Sequence, residues 1–443
     1  MRVGVVFYDH GAIGGKQSGG GHTFQLSIVE AIRSYSAGHS FILLDMVGQG
    51  QHAPEADLPC VNIPLIYFKA DSSVPAEVGK FRRFLRVCKK SIKPLWFRNI
   101  LSFYFRSECA ACKDLADINK TTSVPKEKPI SVLDRAVKDY SLDLVWFLAP
   151  VLEKVSAPFI TTVWDLQHRV QPFFPELNAV GQATWDEREF VYRFILPRAA
   201  RIVTGTNVGK EEIVRSYGAN PDNIAVIPFA VPFRAKMEQS ESANIREKFG
   251  LFKSFLLYPA QFWPHKNHIN VLMALAILKK AGDLSFDMVF VGSDKGNMDY
   301  VRDFARKLDL LDDVHFLGFV SDEDLESLYK NAFALVFASF FGPDNLPPLE
   351  AFAVGCPVIA SNVAGATEQM GDAALFFDPK NPTELAFLIK KLEKDLFLKN
   401  SLIDKGRMRV LSRSNKEYFA DMCRLLDEFE PIKRCWGSSY VHL

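Results

Sequence analysis

Short runs of β-branched and aromatic residues alternate along this chain with helix-length amphipathic stretches, and that alternation constrains the fold more than any other feature. Runs this short, apolar on both faces, suit parallel strands covered by crossover helices. They form two sets. The first lies at 2–8, 41–47, 144–148, 159–164, 201–206 and 224–228, the second at 255–260, 286–292, 314–319, 333–339, 357–361 and 374–378. Between them Pro232–Ser242 is polar and without period, which reads as an interdomain linker. The expectation is α/β, with two sheet domains at 1–233 and 243–415. Ligand loops of such sheets sit at the carboxyl ends of the strands, so function is sought in a cleft between the two.

The 443 residues carry 53 Lys+Arg against 52 Asp+Glu, a balance that asks for no nucleic acid. An apolar share of 48% excludes disorder and leaves a large core. The opening Met1-Arg2-Val3-Gly4-Val5-Val6-Phe7 is too short and lacks the cleavage site of a secretory signal, so a cytoplasmic start at Met1 is expected. No apolar stretch reaches the ~18 residues of a membrane span. Seven scattered Cys read as reduced thiols, and Cys109-Ala110-Ala111-Cys112 lacks the second pair or His that would complete a zinc set.

One segment stands apart. Lys80–Arg106 holds nine Lys and Arg and no Asp or Glu, interleaved with Phe81, Phe84, Trp96, Phe97, Phe103, Tyr104 and Phe105. Cations for anionic headgroups and rings for the interface suit a membrane surface, and would place the protein peripherally on the inner face. A solvated helical insertion with core-facing rings is the competing account.

After the first run, the glycine-rich turn Gly11–His22 leads into a helical run, Thr23–Tyr35. Such a turn lets backbone N–H groups approach an anion. It is not a P-loop, because Gly20 and Gly21 stand where Lys and Ser/Thr would be. In the second set, Lys266 sits between a strand and the helix 269–280, well placed to neutralise a diphosphate. The stretch from Phe341 to Ser361 gives a loop, a short helix and a strand. Glu350, one turn into that helix, can accept two vicinal hydroxyls. A nucleotide fits this chemistry.

With those residues on the page, the chain resembles the family-four retaining glycosyltransferases, the group 1 type with the GT-B fold of two Rossmann-like domains facing across a cleft. The likeness rests on Gly19–Gly21, Lys266-Asn267, Val289-Phe290-Val291-Gly292, Leu346-Pro347-Pro348-Leu349-Glu350-Ala351, Gly355-Cys356-Pro357-Val358-Ile359 and the run from Glu368 to Leu375. It implies transfer of a sugar, a hexose from a mannosyl- or rhamnosyl-type donor, from a nucleotide diphosphate sugar to a glycan or lipid-linked acceptor. Retention and no metal or other cofactor are implied with it. The resemblance puts Gly20, Gly21 and Lys266 at the donor diphosphate, Glu350 on the ribose hydroxyls, the N–H groups around Leu346 and Pro347 on the phosphates, and Phe319–Val320 near the base. It also implies that 416–443 is a helical tail packing back on the first domain.

Three positions depart from the family. Its phosphate-binding Arg, five residues before the Lys, is Gln261. The first Glu of its paired-glutamate motif falls at Gly342, leaving Asp344 or Asn345 to contact the donor sugar. Its His before Asp is Trp164, in the run that carries the candidate catalytic residues Asp165 and His168. These departures keep open a non-catalytic scaffold and a GT-B sugar-nucleotide epimerase as alternatives.

Overall fold

The computed structural model describes residues 1–7, 20–35, 38–45, 65–67, 131–150, 155–178, 185–231, 245–411 and 413–437. Lys80–Arg106, the linker 232–242, the glycine turn from Gly11 to Gly19, and Cys60, Cys88, Cys109 and Cys112 lie outside these residues.

The first sheet contains β1 (Arg2–Phe7), β2 (Ser40–Asp45), β3 (Leu65–Tyr67), β4 (Leu144–Phe147), β5 (Phe159–Thr162), β6 (Arg201–Thr204) and β7 (Ile224–Val226). They run parallel in the order β3-β2-β1-β4-β5-β6-β7. The second sheet contains β8 (Phe255–Pro259), β9 (Asp287–Val291), β10 (Val314–Gly318), β11 (Ala334–Phe337), β12 (Val358–Ser361) and β13 (Ala374–Phe377), parallel in the order β10-β9-β8-β11-β12-β13. Each sheet reverses its winding beside its first strand. β1 pairs with both β2 and β4 through Val3, which lies opposite Phe41 and Leu144. β8 likewise sits between β9 and β11. These are the switch points where α/β sheets bind ligands.

Every expected run forms a strand, and β3 is an additional one. Three residues long, on the sheet edge and after Pro64, it has too little pattern to be read from sequence. A second difference lies at the first helix, which begins at Gly20, not at Thr23. Gly20 and Gly21 are therefore in the first helical turn, where backbone N–H groups have no intrahelical partner.

Strand burial follows the composition. Val3, Val5, Trp146, Ile160 and Val203 form one core with Phe24 and Ile28 of the first helix, and Phe255, Leu257, Val289, Leu335 and Val358 belong to the other. The last helix, Asn415–Lys433, follows the second domain in sequence but packs on the first. Its Tyr418, Phe419, Met422 and Leu426 join the first core, with Tyr418 edge-on to Phe24 at 5.6 Å. Each such side chain contributes on the order of 1.5–3 kcal/mol by leaving water. Ser414 caps this helix by accepting from Glu417 N at 3.4 Å, and Lys433 Nζ pairs with Asp143 at 3.1 Å. Just before it, Val231 N donates to Arg413 O at 3.0 Å, joining the outgoing and returning segments. Among the described residues no helix is long and apolar enough to cross a membrane.

Candidate active site

The carboxyl end of β8 builds one wall. After Pro259 the chain passes Gln261, whose Oε1 accepts from Trp263 Nε1 at 3.0 Å. It then makes a short turn, Pro264–Lys266, before the helix His268–Lys280. Asn267 takes a left-handed conformation, φ 59°, which Asn tolerates better than most residues. Its buried amide donates to Ala338 O at 2.9 Å and Pro379 O at 2.8 Å, pinning the turn to the neighbouring loops. Tyr258 OH donates to Lys266 O. The backbone of Lys266 is thus fixed, and its ammonium stands 5.4 Å over the Phe337 ring at the end of β11. Burial lowers its pKa to about 8, against the pull of Asp165 and Glu176 on the facing domain.

The loop after β11 and the helix Leu346–Ala353 form the second wall. Gly342 has φ 141°, a conformation that side chains rarely adopt, and a Cβ there would collide with the Asn345 amide. Asn345 Nδ2 donates to Gly342 O at 2.8 Å. The position where the family carries a Glu is therefore closed to any side chain, and the Asn345 amide fills the room beside it. Pro347 and Pro348 occupy the first helical turn and have no N–H, so of Leu346 and Pro347 it is Leu346 that carries a backbone donor. Leu346 N–H and the helix dipole are what this terminus presents to an anion. Glu350 Oε2 accepts from Tyr329 OH at 2.8 Å. Phe319 is 56% exposed beside buried Val320, at the end of β10.

The first domain supplies the opposite wall at the carboxyl end of β5. Asp165 Oδ1 accepts from Arg188 at 2.6 Å and from Gln167 N at 2.9 Å, while Tyr192 OH donates to Asp165 O at 3.2 Å. Burial favours the neutral acid, yet Arg188 outweighs it and holds the carboxyl below its ordinary range. His168 is fully buried. Its Nε2 lies 3.1 Å from Glu189 Oε1 and 2.9 Å from Tyr217 OH, and its ring stacks on Tyr192 at 5.4 Å. Burial lowers its pKa to about 4. Glu189 also accepts from Arg169 and from Arg193, and although burial opposes its charge, these donors lower its pKa to about 2. His168 therefore belongs to the scaffold that fixes the Asp165 loop.

The two walls touch at several points. Glu176 of the first domain accepts from His265 N at 3.2 Å and lies 2.6 Å from His265 Nδ1. Gln171 donates to Phe340 O at 2.9 Å. Glu368 of the second domain accepts from Asn207 N at 2.6 Å, Asn207 Nδ2 at 2.8 Å and Val208 N at 3.3 Å, at the start of the helix Asn207–Tyr217. Asp344 belongs to this contact. It accepts from Gln369 at 2.5 Å, its Oδ2 is sealed from solvent, and a Cβ on Gly205 would collide with it. Burial raises its pKa to about 6, against the nearby Arg413.

Lys266, Gln261, Asn345, Leu346, Pro347, Glu350, Phe319 and Val320 are thus gathered at the strand ends of the second domain, with Asp165 facing them. Asp344 is turned into the domain contact, and Gly20–Gly21 begin the helix after β1. Glu176, Glu189, Tyr329 and Glu368 escape sequence reasoning. The Glu189–Arg193 pair has helical spacing, but nothing in the spacing connects Glu189 to His168, 21 residues away. Among the described residues, His39, Asp427 and Glu430 are the one group that brings three potential metal ligands together. His39 precedes β2, at the amino end of the first sheet, away from these loops.

Two facing sheets of this order, with the loops of each closing on the other, define the GT-B architecture, and residues 241–409 match the family model for glycosyl transferases group 1. Over residues 241–409 the chain is thus similar to the group 1 glycosyl transferases, and its two sheets have the GT-B fold. It is 28% identical over 203 residues to the O-antigen chain mannosyltransferase B of Escherichia coli, covering 45% of this chain and 53% of that protein. It is 26% identical over 230 residues to the O-antigen chain mannosyltransferase RfbU of Salmonella typhimurium, covering 51% and 60%. The chain therefore matches between half and two thirds of the length of these two relatives. Among solved structures, sucrose-phosphate synthase from Thermosynechococcus elongatus superimposes with a TM-score of 0.64 at 18% identity, covering 98% of this chain and 100% of that one.

Proposed function

We propose that this chain transfers a hexose, with retention, from a nucleoside diphosphate sugar to a hydroxyl of a glycan or lipid-linked acceptor during assembly of a surface polysaccharide. The observation that carries this reading is the pairing of Lys266 with Glu350 on two adjoining strand ends, opposite Asp165. A cation for a diphosphate and a carboxylate for vicinal hydroxyls are the two ends of one nucleotide. The O-antigen mannosyltransferase relatives favour a mannosyl donor over a rhamnosyl one.

In the reaction, the bond from the anomeric carbon to the diphosphate oxygen breaks and the acceptor oxygen bonds to the same face. The acceptor proton passes to the departing diphosphate. Charge grows on the leaving group, so Lys266 and Leu346 N–H bind it more tightly in the transition state than in the ground state. Gln261 contributes a neutral contact there. Asn345, beside the closed position 342, contacts the donor sugar through its amide, and Asp165, ionised and held by Arg188, faces the sugar from the other domain.

A panel of GDP-mannose, dTDP-rhamnose and UDP-glucose with a lipid-linked acceptor extract tests the reading. Acceptor-dependent release of nucleotide and an α-linked product are expected, unchanged by EDTA because no metal is required. Free sugar released without acceptor would identify an epimerase. Failure of every donor to bind would identify a scaffold.

The acceptor side of the reading includes Lys80–Arg106. Nine cations without an anion, each worth on the order of 1 kcal/mol at an anionic surface, support reversible docking on a membrane. Vesicles containing phosphatidylglycerol should float the protein at low salt and release it at high salt, whereas neutral vesicles should not. Equal recovery with both lipids, or none at low salt, would return the segment to a solvated insertion.

A further inference from the structure

We propose that Tyr329 is a positioning residue, holding the Glu350 carboxylate in the orientation that distinguishes ribose from deoxyribose nucleotides. This rests on the reading of Glu350 as the ribose-binding group. Tyr329 belongs to the helix Asp322–Asn331, which begins two residues after the Phe319–Val320 loop. The helix is set in place by Ser321, which accepts from Asp324 N at 3.2 Å, and by Leu328, which is fully buried. Tyr329 itself is 3% exposed, so its ring has no freedom to swing. From that fixed point its hydroxyl donates to Glu350 Oε2 at 2.8 Å.

The terminal torsion of a Glu side chain is broad, and a free carboxylate samples many orientations. Two vicinal hydroxyls need one carboxylate plane, because each must meet a lone pair along its own direction. A donor anchored on one oxygen selects that plane before the nucleotide arrives, removing an ordering cost from binding. The phenol stays protonated for this duty. Burial, and then the adjacent Glu350 charge, hold its pKa well above the ordinary value. The same helix follows the loop near the base, so one element ties the two ends of the nucleoside pocket together.

Tyr329→Phe keeps the ring and removes only the donor, and melting curves should match the parent. Donor KM should rise about tenfold, the effect of one hydrogen bond to a charged group, with kcat within twofold. The decisive readout is the ratio of affinities for a nucleoside diphosphate and its 2′-deoxy and 3′-deoxy counterparts, measured by calorimetric titration for the parent, Tyr329→Phe and Glu350→Ala. The ratio should be large in the parent and fall toward one in both variants. If it falls in Glu350→Ala but stays at the parent value in Tyr329→Phe, the positioning role is overturned. If Glu350→Ala leaves it unchanged, the ribose reading itself fails.

Discussion

Replacing Lys266 by Ala should weaken binding of nucleoside diphosphates on the order of tenfold to a hundredfold and lower turnover further, about 10²–10³-fold, with the fold intact. The two losses differ because the ammonium meets more negative charge as the diphosphate departs. Calorimetric titration gives the first number and progress curves with the intact donor give the second. Unchanged affinity would remove Lys266 from the site. The wild-type protein offers a companion measurement. The pKa of Lys266 is lowered to about 8, chiefly by burial, so the free site is charged below that pH and loses its charge above it. Once the terminal phosphate is ionised, above about pH 7, diphosphate affinity should hold to about pH 8 and fall on the alkaline side, and Lys266→Ala should abolish that alkaline fall.

The largest loss of stability is expected at Glu189. Its nearly buried carboxylate, 6% exposed, satisfies donors from Arg169, Arg193 and Tyr217 while lying against His168. Glu189→Ala strands those partners and should cost about 3–5 kcal/mol, lowering the melting midpoint on the order of 10 °C. Arg193→Ala, which removes a partner that is 66% exposed, should cost about 1 kcal/mol or less. The pH dependence has a definite sign. The folded-state pKa of Glu189 is depressed from 4.5 to about 2, where its donors overcome the burial that opposes its charge. Its contribution is therefore present above pH 4.5 and lost as pH falls toward 2. Between pH 4.5 and 2 stability should therefore fall less steeply for Glu189→Gln, which does not titrate, than for the parent. Equal melting of Glu189→Ala and Arg193→Ala would show that the network is dispensable.

The strands, and the placing of Lys266 and Glu350 at their carboxyl ends, were legible because their signals are local. A buried parallel strand is apolar on both faces, and β8, β9, β11 and β12 show this in four or five consecutive residues. Lys266 and Glu350 were legible because each lies a fixed distance beyond such a strand. What sequence could not supply was the direction of a side chain at a domain contact. Asp344 and Asn345 are neighbours with similar shape and size, yet one carboxylate is packed against Gly205 and the other residue's amide lies over Gly342. That division is decided by the facing domain, whose Gly205 is far away in sequence. His168 shows the same effect. Its place in the short helix Gln167–Val170, soon after β5, suggested chemistry, but Glu189 of the helix Trp185–Ile195 takes its ring nitrogen.

The chain passes from the first sheet to the second after Val231, and returns after Arg413 to end in a helix on the first. The outgoing and returning segments are therefore tied side by side, by the backbone bond from Val231 to Arg413. Parting the two domains would separate Glu368 from Asn207, Glu176 from His265 and Gln171 from Phe340, and would unpack Asp344 from Gly205. The closed arrangement of the two domains thus rests on a handful of polar contacts between facing loops together with a returning helix whose Tyr418 packs on Phe24 of the first helix.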